Sequence, residues 1–268
     1  MHPVTRACHL DGIALWTPSL PSHAHAVRVW RSEAGPADPP APRPSPALLA
    51  PTERRRAPDT VAIALAVASD ACAAAGADPA TLPCVFASTE GDLVISDYMC
   101  RTLATEPREI SPTRFHNSVH NAASGYWTIA TGCHAPATSL SAWRETWAVG
   151  LLEALLQAED AGRVLYVAYD IEAVGPMRTV CDSRGQFGTA LVAARERSER
   201  STHRIEWRTR ERREGDELAP HAGLAAGNPL ARALELHAAV AADTERIVCT
   251  PLSAGLTLEL TVMPAGTP

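Results

Sequence analysis

Apolar positions along the chain fall into blocks of changing period. Residues 9–18, HLDGIALWTP, read as a short half-buried strand that a proline ends. Residues 36–51, PADPPAPRPSPALLAP, hold too many prolines for a helix or an interior strand. The wider segment 36–58 is expected to form an extended surface connection that finishes in the basic patch TERRRAP. TVAIALAVASDACAAAG then predicts a helix apolar on nearly every face, capped by Asp59 and closed by Gly76. A helix of that kind belongs in a core. LPCVFASTEGD, residues 82–92, predicts a buried strand running into a polar turn, and the stretch through ISDYMCRTLAT a helix. SPTRFHNSVHNAASGYWTIATG, residues 111–132, predicts a loop and then a helix of small residues, a surface on which backbones can approach closely.

The next block, APATSLSAWRETWAVGLLEALLQ, reads as a strand that turns into a mostly apolar helix over about residues 142–158, with polar gaps at Arg144, Glu145, Glu153 and Gln157. GRVLYVAYD, residues 162–170, is a continuous apolar strand of the kind covered on both faces, and GQFGTALVAAR reads as another. Residues 195–217 alternate in charge and predict an exposed, solvated hairpin rather than a binding surface. NPLARALELHAAVAA predicts an amphipathic helix opened by Asn228 with Pro229 in its first turn, and AGLTLELTVMP a closing strand. Strands alternate with helices throughout, which predicts an α/β layer structure in one domain over 1–268, without solenoid repeats.

Composition narrows the function classes. A chain of 268 residues at 46% hydrophobic content can bury a real core. Its net charge of -6 is mixed in sign and shows no electrostatic footprint for nucleic acid. No apolar run reaches bilayer length, and MHPVTRACHLDGIALW lacks the form of a signal peptide, so a cytoplasmic location is expected. The seven cysteines are scattered without a C-x-x-C, which favours buried reduced thiols over disulfides or a zinc site. Lysine is absent, so no Schiff base and no lysine general base can come from this chain. GLAAGNP lacks the strand–turn–helix phosphate pattern. No cofactor and no metal are expected.

PTRFHNSVHNAASGYWTIATGCHAPATSLSA resembles the segment of β-ketoacyl synthases that crosses the dimer seam and runs up to the active-site turn. Asn121 and Gly125, Thr128 and Ile129, Gly132 and Pro136 fall in register, and LLEALLQAEDAGRVLYVAYD is similar to the helix and strand beyond the nucleophile. LLAPTERRRAPDTVAIALAVASDACAAAG, LPCVFASTEGD and GTALVAAR extend the likeness over most of the chain. Within the family the chain resembles a short stand-alone branch, the chain length factors of aryl polyene and related type II polyketide clusters. The fold implied is thiolase-like: the N-terminal half of the ketosynthase fold with a short C-terminal addition, its mixed central sheet covered by helices.

The resemblance also shows what is missing. Family members carry their catalytic cysteine eight residues beyond the proline of a Gly-Pro-Ser motif, and counting from Pro136 gives Arg144. A helix start lowers a thiol's pKa, so an arginine there is the opposite electrostatic choice, and if buried it needs a carboxylate or carbonyl partner. His203, His221 and His237 do not match the contexts of the family's two later histidines, and its lysine is absent too. The resemblance therefore implies a non-catalytic subunit. It would pair with a ketosynthase that keeps its cysteine, and acyl carrier protein would dock on that complex. Arg114, Phe115 and Ser118 would line the floor of the partner's acyl tunnel, with His116, His120 and Asn121 along the seam. Trp143 and Trp147, one helical turn apart on one face, either pack the core or, with Arg144, plug the former acyl pocket. Two other readings stand beside this one: an acyl-transfer or hydrolytic enzyme using Ser141 or Cys133, and a homodimer that holds a small acid on Arg144. TSLSA lacks the G-x-S-x-G elbow of a serine nucleophile.

Overall fold

The computed structural model describes residues 5–266. Eight strands form one mixed sheet: β1 (Arg6–Trp16), β2 (Cys84–Ala87), β3 (Ala137–Leu140), β4 (Arg163–Asp170), β5 (Phe187–Ala194), β6 (His203–Glu211), β7 (Arg246–Pro251) and β8 (Leu256–Pro264). Their order is β3-β2-β4-β5-β1-β6-β8-β7. β2 runs parallel to both β3 and β4, and every other pairing is antiparallel. The helices are α1 (His23–Trp30), α2 (Pro51–Arg56), α3 (Asp59–Ala75), α4 (Leu93–Thr105), α5 (Pro112–His116), α6 (Ala122–Thr131), α7 (Thr146–Ala161) and α8 (Ala233–Ala241).

Strand alternation splits the core into two layers. Val85, Tyr166, Phe187 and Leu191 face one side and pack with Leu151 and Leu155 of α7 and Leu234 and Leu236 of α8. Phe86, Leu165, Val167 and Val192 face the other side and pack with Ile63, Leu65 and Val67 of α3 and Trp127 of α6. The close seating of α3 on β1 depends on Gly12, where an added Cβ would lie 2.2 Å from the Ala71 carbonyl oxygen. Gly76 ends α3 in the left-handed region (φ 58°), as the sequence predicts.

Several expectations are corrected. β1 is an interior strand between β5 and β6 rather than a half-buried one. Its misleading Asp11 is buried but satisfied, paired with Arg163 and accepting from Ser201 Oγ. Asp59 does not cap α3: Pro58 holds the N-cap position, and the Asp59 carboxylate pairs with Arg43 and accepts from Gln186. Part of the 36–58 connection is helical, as α2. Residues 195–217 are not a hairpin, because β6 pairs with β1 and β8. Its charges line one face only. His203, Ile205 and Trp207 turn into the core, while Arg208 and Arg210 turn outward to Glu259 of β8. The final helix begins at Ala233, later than Asn228, whose Oδ1 instead accepts from the Leu230 amide in a preceding turn. Residues 246–251 form β7, which periodicity did not single out.

Candidate functional site

The parallel strands β2, β3 and β4 end at the same side of the sheet, where ligand crevices of open α/β sheets form. A cleft of about 520 Å³ opens there. Thr89 and Glu90 enter it after β2, Trp143 and Arg144 after β3, and residues 180–183 after β4, while Asn228 and Arg232 close it from the C-terminal part.

A hydrogen-bonded hub holds the loops of this cleft together. Ser88 Oγ donates to Asp170 Oδ1 (2.8 Å) and accepts from the Gly91 amide (3.0 Å), and the Thr89 amide donates to the same carboxylate oxygen (2.9 Å). Ser141 Oγ donates to the Thr89 carbonyl (2.8 Å). His120 Nε2 bonds the Ser88 carbonyl (2.8 Å), which fixes its proton on Nε2, since a carbonyl can only accept. Asp170 is buried, and burial pushes its pKa up to about 6 against the opposing pull of the Ser88 and Thr89 hydrogen bonds.

Beyond β3 the chain does not enter α7 directly. Trp143, Arg144 and Glu145 form a 3₁₀ turn first. Thr146 Oγ1 accepts from the Ala142 amide (2.9 Å) and donates to the Trp143 carbonyl (2.7 Å), closing the turn. Trp143 adopts a left-handed backbone (φ 54°), a costly conformation for a bulky residue. Strained strand–turn–helix elbows present a side chain in just this way. The residue presented here is Trp143, one place before Arg144, and it stands 65% exposed over the cleft. Arg144 is exposed as well, so a compensating partner for a buried charge is not required.

The two tryptophans do not share a face. Trp147 is buried against Tyr166, whose hydroxyl donates to the Trp147 carbonyl (2.8 Å). Arg114 lies over the Tyr98 ring (4.0 Å to the centroid). Phe115 is exposed, Ser118 Oγ donates to the Phe115 carbonyl (2.8 Å), and His116 is exposed on α5. His120 is turned to Ser88, away from any pairing with His116. Asn121 opens α6 without a side-chain cap, and its carbonyl accepts from Ser124 Oγ (3.0 Å).

Neither alternative nucleophile is set up for attack. Ser141 Oγ spends its proton on a backbone carbonyl rather than on a base. Cys133 is buried before β3, at the opposite end of that strand from the turn, beside the Leu82 carbonyl. The thiol that lines the cleft is Cys181, which sequence reasoning did not single out. Burial and the neighbouring Glu90 carboxylate raise its pKa, the reverse of what a thiolate nucleophile needs. Glu90, Asn228 and Arg232 were not foreseen as cleft residues either; Asn228 was expected only to open the last helix, and the chain folds back to the cleft only through the sheet. Among the described residues, neither Ser141 nor Cys181 has a base placed to take its proton.

Among known proteins, the chain matches none of the curated ones. Several solved structures match over nearly their full length. The complex of the ketosynthase ApeO with its chain length factor ApeC from Xenorhabdus doucetiae aligns with TM-score 0.71 at 19% identity, over 95% of this chain and 99% of the matched one. The ishigamide ketosynthase/chain length factor gives 0.70 at 16%, over 97% and 100%. AntDE:AntF, a type II polyketide synthase acyl-carrier protein in complex with its ketosynthase, gives 0.68 at 10%, over 97% and 100%. At these identities the likeness establishes the fold, a thiolase-like ketosynthase fold. No helix of the described residues is long and apolar enough to cross a membrane. The β-ketoacyl synthase N-terminal domain matches residues 28–253, and the chain belongs to that family.

Proposed function

We propose that this protein is a non-catalytic, chain-length-factor-like subunit that pairs with an active ketosynthase in polyketide or fatty-acid-type biosynthesis of the aryl polyene kind. The observation that carries the reading is the elbow after β3. It keeps its strand, its strained turn and its buried helix, yet presents Trp143 and Arg144 where the family presents a cysteine. Burial and the neighbouring Glu90 raise the pKa of the cleft's own thiol, Cys181, away from thiolate character.

The pairing surface is the seam. β3 is an edge strand with one unpaired side, open to addition of a partner strand. On α6, which packs against it, Ile129 is 82% exposed, and Phe115 of α5 and Val119 in the turn that follows are exposed as well. Apolar side chains at such exposure favour a surface that is covered in an assembly. In the pair, Arg114, Phe115 and Ser118 limit chain length by shape, a discrimination of about 1–3 kcal/mol per methylene. Acyl carrier protein docks mainly on the catalytic partner.

Co-expression with a ketosynthase that retains its cysteine tests this. The expected result is a stable heterodimer, and Phe115→Ala should lengthen its products. A chain that is monodisperse and acylates itself alone would refute the subunit reading. Trp143→Cys and Arg144→Cys should both leave the isolated chain inactive, because the decarboxylation histidines are missing. Recovered condensation in either variant would overturn it.

A further inference from the structure

A second cleft, of about 610 Å³, lies apart from the elbow, between the starts of α3 and α4 and helix α5. Its apolar wall is Pro58, Val94, Ile95 and Ile171. A volume of that size suits a small molecule.

The polar groups around it can be sorted by what they already bind. Asp92 Oδ1 accepts from the Ile95 amide (2.9 Å) and Oδ2 from Thr60 Oγ1 (2.8 Å). Asp59 is taken up by Arg43 and Gln186. Neither carboxylate needs a ligand. Asn117 differs. Its side chain is 4% exposed and lines the cleft, and Oδ1 is buried without a hydrogen-bond partner among the described residues. A buried amide oxygen left in that state costs about 1–3 kcal/mol, so the site asks for a donor. Two exposed guanidiniums also border the cleft. Arg114 rests on the Tyr98 ring, and neither it nor Arg56 enters an ion pair among the described residues. The cleft thus combines an inner acceptor, an apolar wall and cations at its rim.

We propose that this cleft binds a free hydroxylated carboxylic acid. Its hydroxyl donates to Asn117 Oδ1, its hydrocarbon lies along Val94, Ile95 and Ile171, and its carboxylate meets Arg56 and Arg114. The site is built wholly from residues of this chain and is argued for the unpaired protein, since Arg114 also belongs to the surface that the proposed pairing uses. Its test is direct binding to the isolated protein, whereas the pairing is tested by co-purification, so the two can fail separately.

Isothermal titration of the full chain with ω-hydroxyalkanoates, from hydroxyhexanoate to hydroxydodecanoate, beside plain alkanoates of equal length, tests the assignment. At the length that fits, the hydroxy acid should bind about tenfold tighter than its alkanoate, the size of one net hydrogen bond. Asn117→Leu, with folding checked by circular dichroism, should erase that preference. The surface variants Arg56→Gln and Arg114→Gln, which leave the core untouched, should weaken both acids alike and reduce the salt dependence. Absence of binding, or equal affinity of the two acids at every length, overturns the proposal. So does a preference that survives Asn117→Leu, or displacement of the acid by a bound partner subunit, which would make the cleft that partner's socket.

Discussion

Asp170→Asn removes a buried charge that burial strains. The carboxylate sits at the end of β4 in the hub that joins the loops after β2 and β3. Its Oδ1 accepts from Ser88 and Thr89, and Oδ2 is buried without a partner among the described residues. A carboxamide oxygen can accept the same two hydrogen bonds, so the substitution removes the charge and keeps the hub. A rise from the ordinary 3.8 to about 6 corresponds to about 3 kcal/mol of preference for the protonated form in the folded state. The folded state then holds more protons than the unfolded one between those values. The group's stabilising contribution is complete below about pH 4 and is lost as pH rises through about 6. Urea unfolding followed by tryptophan fluorescence, for both proteins from about pH 4 to about pH 7.5, gives a difference in stability in which all other titrations cancel. That difference should move by about 3 kcal/mol in favour of the variant across the range. A flat difference would refute the claim that burial dominates the hydrogen bonds at Asp170.

The buried histidine pair should act in the opposite direction. His23 Nδ1 meets His237 Nδ1 at 2.9 Å, and His237 Nε2 bonds Thr189 Oγ1 at 2.8 Å. Burial lowers both pKa values, that of His23 to about 4, so stability should fall as pH drops from 6.5 towards 4, and His237→Gln should flatten that slope in urea titrations. Arg210 bonds Asp216 with both terminal nitrogens (2.8 Å each) and Glu259 through Nε (2.6 Å), all nearly buried on the outer face of β6 and β8. Arg210→Ala leaves the nearly buried Asp216 without its cation, while Glu259 keeps Arg208, and should cost about 3–5 kcal/mol by urea denaturation; a loss below about 1 kcal/mol would make the network ornamental. Trp143→Gly should relieve the left-handed turn and raise the melting temperature by about 2–4 °C, and a lower melting temperature would show that Trp143 contributes more by packing than its backbone costs.

Legibility in the sequence followed locality. α3, β4 and β5 are written as nearly continuous apolar runs and α7 as a mostly apolar one, because a layer covered on both faces tolerates few polar residues. The turn closing α3 at Gly76 was equally local, needing only a residue at ease in the left-handed region. β6 misled because its arginines and glutamates are half of an alternating strand, and only the pairing with β1 and β8 shows which half is buried. Asp59 looked like a cap, yet Arg43 and Gln186, distant in sequence, claim its carboxylate. At the elbow, counting from Pro136 placed the special position at Arg144, whereas the backbone places the strain at Trp143. A spacing rule assumes that the turn keeps its length, and a 3₁₀ turn before α7 makes that a matter of geometry. The second cleft was invisible for the same reason that β6 was: Asn117, Val94 and Ile171 meet only in three dimensions.

The strained turn after β3 keeps its shape for a mechanical reason. Ser141, at the start of the elbow, is tied to the Thr89 carbonyl, and His120, at the end of the seam loop, to the carbonyl of the adjacent Ser88. Asp170 grips the same two residues from β4. The elbow and the loop before α6 therefore hang from one short stretch of backbone after β2. None of these hydrogen bonds uses the side chain of Trp143 or Arg144, so the bend holds its shape whatever those two positions present.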